Sequence, residues 1–146
     1  MRRIAFAWLA LAAGAPAAEM PLVNPPAWGR VISPATRGAI DVRQTERGAL
    51  SIRIRLEGML PDHPYILCLN DRPNHPGNEW LSSAVPGHAE EHYVDFARVV
   101  TDARGRAKAR VAVHLHPGFY NVRFYVKDPD DFKIVLYHDY FDVFVK

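Results

Sequence analysis

The sequence predicts an all-β fold, a two-sheet antiparallel β-sandwich of seven to eight strands. Three observations carry this. Apolar and polar residues alternate with period two over residues 50–57, 107–116 and 120–127. Turns rich in Gly, Pro and Asp separate these runs at short intervals. Beyond residue 17 no stretch repeats its apolar residues at helical spacing.

The elements follow in order. Residues 1–17 form a secretory signal: Arg2 and Arg3 are a charged start, residues 4–13 an apolar segment, and Ala15-Pro16-Ala17 a small-x-small cleavage site. Cleavage is expected after Ala17, with Ala18 the second choice. The apolar segment is too short to span a bilayer, and the mature chain carries no membrane span. The expected location is therefore the periplasm or the extracellular space. Residues 18–29, with Pro21, Pro25 and Pro26, form an extended leader, and Trp28 is a candidate to tuck against the sandwich edge. The domain proper is residues 30–146, with 30–33 as a short first strand.

Residues 39–44 and 49–57 form a hairpin turned at 45–48. In its second strand Leu50, Ile52, Ile54 and Leu56 face in, while Ser51, Arg53, Arg55 and Glu57 face out. Residues 58–64 are a turn, and 65–69 form a central strand apolar on both faces. Residues 70–91 form a long connection with no sustained period, which in a compact domain is either functional or mobile. Strand character resumes at 93–100, and residues 101–105 are a turn. Residues 107–116 and 120–127 read as a hairpin about Pro117-Gly118, with Tyr120, Val122, Phe124 and Val126 inward. Residues 128–131 are an acidic turn, and 134–145 the last strand, bent near His138 and Asp139.

Losing Arg2 and Arg3 leaves 16 of the 18 basic residues against 16 acidic ones, so the mature chain is near neutral. The charge total thus points to neither nucleic acid nor membrane as a partner. Cys68 is the only cysteine, which rules out an internal disulfide, and its apolar neighbours predict a buried small hydrophobe.

Leu115-His116-Pro117-Gly118-Phe119-Tyr120-Asn121-Val122 resembles the L-x-P-G-x-Y-x-V corner of immunoglobulin-like and prealbumin-like sandwiches. The resemblance covers about thirty residues and implies that the Tyr120 hydroxyl bonds back to nearby backbone, with Pro117 and Gly118 shaping the corner. It is specific for architecture and nearly silent on activity.

Two places could carry chemistry. In the long loop Asp71, Asn74, His75, Asn78, Glu79, Trp80, His88 and His92 mix hydrogen-bonding groups with one large aromatic, a combination suited to a carbohydrate or a protein partner. His114 and His116 stand on one face of a strand at i and i+2, and with His138 they are the alternative: a copper or zinc site, since neutral imidazole suits both metals. Against it, Arg106, Lys108 and Arg110 share that face. The carboxylates Asp128, Asp130 and Asp131 lack the glycine and closing glutamate of an EF-hand loop, so the turn reads as a solvated one rather than a calcium site. No G-x-S-x-G or H-E-x-x-H pattern is present. The sequence therefore points to a non-enzymatic exported binding module without a cofactor, with a structural assembly subunit that forms oligomers as a further alternative.

Overall fold

The alternating runs form strands where the pattern places them, but they do not always pair with their neighbours in sequence. The computed structural model describes residues 19–45, 48–71, 81, 83–85 and 88–146, with the backbone alone at 83–85 and 88–91. Nine strands follow in order: β1 (Met20–Leu22), β2 (Arg37–Gln44), β3 (Ala49–Glu57), β4 (Pro64–Asp71), β5 (Ser83–Val85), β6 (His88–Val100), β7 (Ala107–His114), β8 (Gly118–Lys127) and β9 (Ile134–Val145). No helix occurs among the described residues. One sheet has the order β1-β2-β3-β7 and the other β5-β6-β4-β8-β9, with every pairing antiparallel.

The core lies between the sheets. Ile40, Leu50, Ile52, Ile54 and Leu56 meet Tyr65, Leu67, Leu69, Tyr120, Val122, Phe124, Val126 and Leu136, all buried. Burying each large side chain contributes about 1.5–3 kcal/mol, and truncating one such as Phe124 to alanine costs about 3–5 kcal/mol.

Several expectations are corrected. The strand count rises to nine because β1 and β5 were not foreseen. β1 lies within the stretch read as a leader: Leu22 is buried, and Pro21, which cannot donate to a ladder, sits on an edge strand where that costs little. Residues 30–33 form no strand; instead the Arg30 N–H bonds to the Ile134 carbonyl as the chain crosses to the other sheet.

The apparent hairpin over 107–127 is an arch between sheets. β7 pairs with β3, whereas β8 pairs with β4 and β9. Alternation reports which face is buried and not which strand lies alongside, so the pattern could not tell a hairpin from an arch. At the arch the Tyr120 hydroxyl donates to the His116 carbonyl at 2.6 Å, and Tyr120 is wholly buried.

The stretch 70–92 is not one loop. Asn70 and Asp71 end β4, and β5 with the start of β6 forms a short antiparallel pair. That pair is held by a backbone ladder at the sheet edge, which does not require an alternating apolar pattern. The last strand does carry an irregularity: Val122 faces Phe141 while Phe124 faces His138, so β9 bulges between them.

Candidate binding site

Strand β8 exposes the most informative departure from simple alternation. Its inward residues are buried, but so are Asn121 and Tyr125 on the opposite face, and Arg123 and Lys127 are half-buried. That outer face is covered because the segment after β1 folds over it. Val23 exchanges two backbone hydrogen bonds with Tyr137 at 3.0 Å, which lays the following chain across β8 and β9. Trp28 then packs edge-on against Tyr137, with ring centres 5.1 Å apart, and tilted against Tyr125 at 5.8 Å. Trp28 as a whole is still 45% exposed.

The cations on this face are fixed by rings and acids. The Arg123 guanidinium lies 4.3 Å from the Tyr140 ring centre and 5.8 Å from that of Trp28, and it donates to Asp139 at 2.8 Å. Burial alone would lower its pKa, but the Tyr125 hydroxyl and the Asp139 carboxylate hold it above the ordinary arginine value. Lys127 Nζ sits 2.6 Å from Asp95 and 4.9 Å from the Tyr93 ring centre. Such cation–ring contacts, each about 0.5–2 kcal/mol, orient the rings as well as the charges.

Next to these groups lies an open groove of about 350 Å³. Its walls include Asn70, Tyr93, Asp95, Tyr125, Lys127 and Phe132, and Cys68 lies in its floor. The Cys68 thiol is buried, as the sequence predicts, and burial pushes its pKa well above the ordinary value, so it is an inert floor group. Phe132 stands on the rim, 67% exposed, with φ of +58°. A bulky side chain in that region is strained by about 1–3 kcal/mol.

The acidic turn supports this rim. Asp128 is buried rather than solvated, which corrects the reading of that turn. Its carboxylate accepts from Arg30 at 2.7 Å, from the Asp130 N–H at 3.0 Å, and lies 3.1 Å from His63 Nε2. Burial opposes the charge, but these donors outweigh it and hold the carboxyl below the usual carboxylate range. Arg30 also donates to Asp131, and the Phe132 N–H closes on the Asp128 carbonyl. His63, Asp128 and Asp130 are the one group of three possible metal ligands that converge among the described residues. The Arg30 cation against Asp128 makes the turn a structural clamp.

The residues expected to act are distributed as follows. Asp71 and His92 are brought together: the Asp71 carboxylate accepts from the His92 N–H at 2.8 Å and lies 3.1 Å from its Nδ1. The His92 carbonyl accepts from Asn70, a wall of the groove, at 3.4 Å. Asn74, His75, Asn78, Glu79 and Trp80 lie outside the described residues, as does the His88 side chain. His114 is exposed on β7, opposite Ala49, and His116 is exposed beyond its end. His138 lies in the other sheet, opposite Phe124, with Nδ1 2.8 Å from the Pro21 carbonyl. The three do not converge on a common point.

Sequence reasoning did not single out Trp28, Arg123, Tyr125, Lys127 or Phe132 as a site. The available signal was two aromatics and two cations on the supposedly wet side of 120–127 and 134–145. No protein-family model, no curated protein and no solved structure matches this chain. The fold and the groove alone define its class: a two-sheet antiparallel β protein with an aromatic-lined groove on one outer face.

Proposed function

We propose that the chain is an exported, non-enzymatic binding module and that the groove on the outer face of the five-stranded sheet holds a carbohydrate. The observation that carries this reading is the half-exposed Trp28, packed against Tyr137 and against Tyr125, a wall of the adjoining groove. A pyranose has an apolar face that stacks on such rings. Its hydroxyls need donors and acceptors in fixed positions, which the Asp95–Lys127 pair and Asn70 offer. A groove of about 350 Å³ suits one or two sugar rings better than the broad surface of a protein partner. The signal-like pattern of residues 1–17 supports export. The bond from Tyr120 to His116 is consistent with the resemblance to immunoglobulin-like and prealbumin-like sandwiches.

The test is binding of neutral oligosaccharides to the purified mature protein and to Trp28→Ala. Saturable binding lost in the variant supports the reading. Binding that survives in Trp28→Ala places the ligand elsewhere.

A further inference from the structure

The other sheet carries a different feature on its outer face. Across the β3–β7 ladder Arg53 stands directly opposite Arg110, and Arg55 directly opposite Lys108. All four side chains are exposed. Directly opposed side chains in an antiparallel pair start about 5 Å apart, and residues two apart on a strand about 6.5 Å, so four cations occupy one small rectangle. Like charges in that relation destabilise the sheet.

Compensation is slight. Arg55 has Glu19 at 3.4 Å, in a pair with both partners well exposed. Asp41, the neighbour of Arg53 on the β2 side, is taken by Arg43 at 3.1 Å, and Glu57 is taken by Arg37 at 2.8 Å. Arg53, Lys108 and Arg110 have no acidic partner among the described residues. The rectangle lines a shallow depression of about 470 Å³, with Glu19 and Ala39 at its side. Ala39, opposite Arg55, leaves the space that a larger side chain would fill.

We propose that this depression is a second binding site, for a sugar or cyclitol ring carrying two or more phosphate groups. Three of the four cations are arginines, whose planar forks match phosphate oxygens two at a time. The spacing of the cations suits phosphates on neighbouring positions of one ring. Apart from the His114 imidazole at the end of β7, the face has no aromatic side chain on which bases could stack, which disfavours single-stranded nucleic acid. None of the large exposed apolar side chains lies on it, which disfavours insertion into a lipid surface.

The test is calorimetric titration of the mature protein with inositol hexakisphosphate, a fully sulfated glucosamine disaccharide and a short DNA duplex. The proposal predicts one-to-one binding of the hexakisphosphate, stronger than either other probe and weakened by salt. In Arg53→Ser/Arg110→Ser the affinity falls by at least about tenfold, as removal of charge-assisted hydrogen bonds requires. The same variant melts no lower than the parent, because the opposed charges are relieved. Arg37→Ser, outside the rectangle, leaves the affinity unchanged. No binding of the hexakisphosphate, equal or tighter binding of the disaccharide or the duplex, unchanged affinity in the double variant, or a loss comparable to its own in Arg37→Ser would each overturn the proposal.

Discussion

The Asp71 carboxylate, with no exposed side-chain surface, is held by both the backbone N–H and the ring Nδ1 of His92 across the end of the β4–β6 ladder. The contact joins β4 to β6 one residue beyond Asn70 and Tyr93, which line the groove. Replacing His92 by alanine removes the ring partner of a buried carboxylate. We expect a loss of about 1–3 kcal/mol, read from urea unfolding. An unchanged midpoint would show that the ring contact contributes nothing.

Tyr120 ties the arch between the sheets. Tyr120→Phe keeps the buried ring and deletes the hydroxyl that bonds to the His116 carbonyl. A loss of about 1 kcal/mol is expected, and a melting curve that superimposes on the parent would contradict it.

Asp128 makes stability depend on pH. Its folded pKa lies below the unfolded value of about 3.9, so its charge stabilises the fold above that pH. That contribution is lost as pH falls through the lower, folded value. Asp128→Asn should therefore cost about 1–3 kcal/mol at neutral pH and little once the wild-type carboxyl is protonated. Urea unfolding of both proteins across the acid range checks this; a difference that stays constant down to the lowest pH would refute it.

Phe132 separates stability from binding. Its positive φ is relieved by glycine, which adopts that region without strain. Phe132→Gly should leave the melting temperature unchanged or higher while weakening oligosaccharide binding, because a rim side chain of the groove is gone. A variant that binds as tightly as the parent would remove Phe132 from the site.

Much of the fold was legible because one-sided burial writes itself into a strand as period two. Leu50, Ile52, Ile54 and Leu56 gave β3, and Tyr120, Val122, Phe124 and Val126 gave β8. Partnership was not legible, since the same alternation serves a hairpin and an arch, and β7 crosses to β3. The edge pair β5–β6 escaped because backbone bonds hold it. Of the site, Asp71 and His92 were named from sequence and meet in space. The groove was missed because Trp28 lies about a hundred residues from Tyr125 and Tyr137, and only the crossing of the chain at Val23 brings them together. Asp128 reads as solvated in the sequence because its partners, Arg30 and His63, lie 98 and 65 residues away.

Under the proposed function Trp28 stacks on a bound sugar. The most direct measurement is the fluorescence of Trp28 in the mature Trp80→Phe protein, where it is the only remaining tryptophan, during titration with cello-, chito- and malto-oligosaccharides. A saturable change is expected with at least one series, abolished by Tyr125→Ala. Fluorescence that no oligosaccharide alters, in a protein that remains folded, would contradict it.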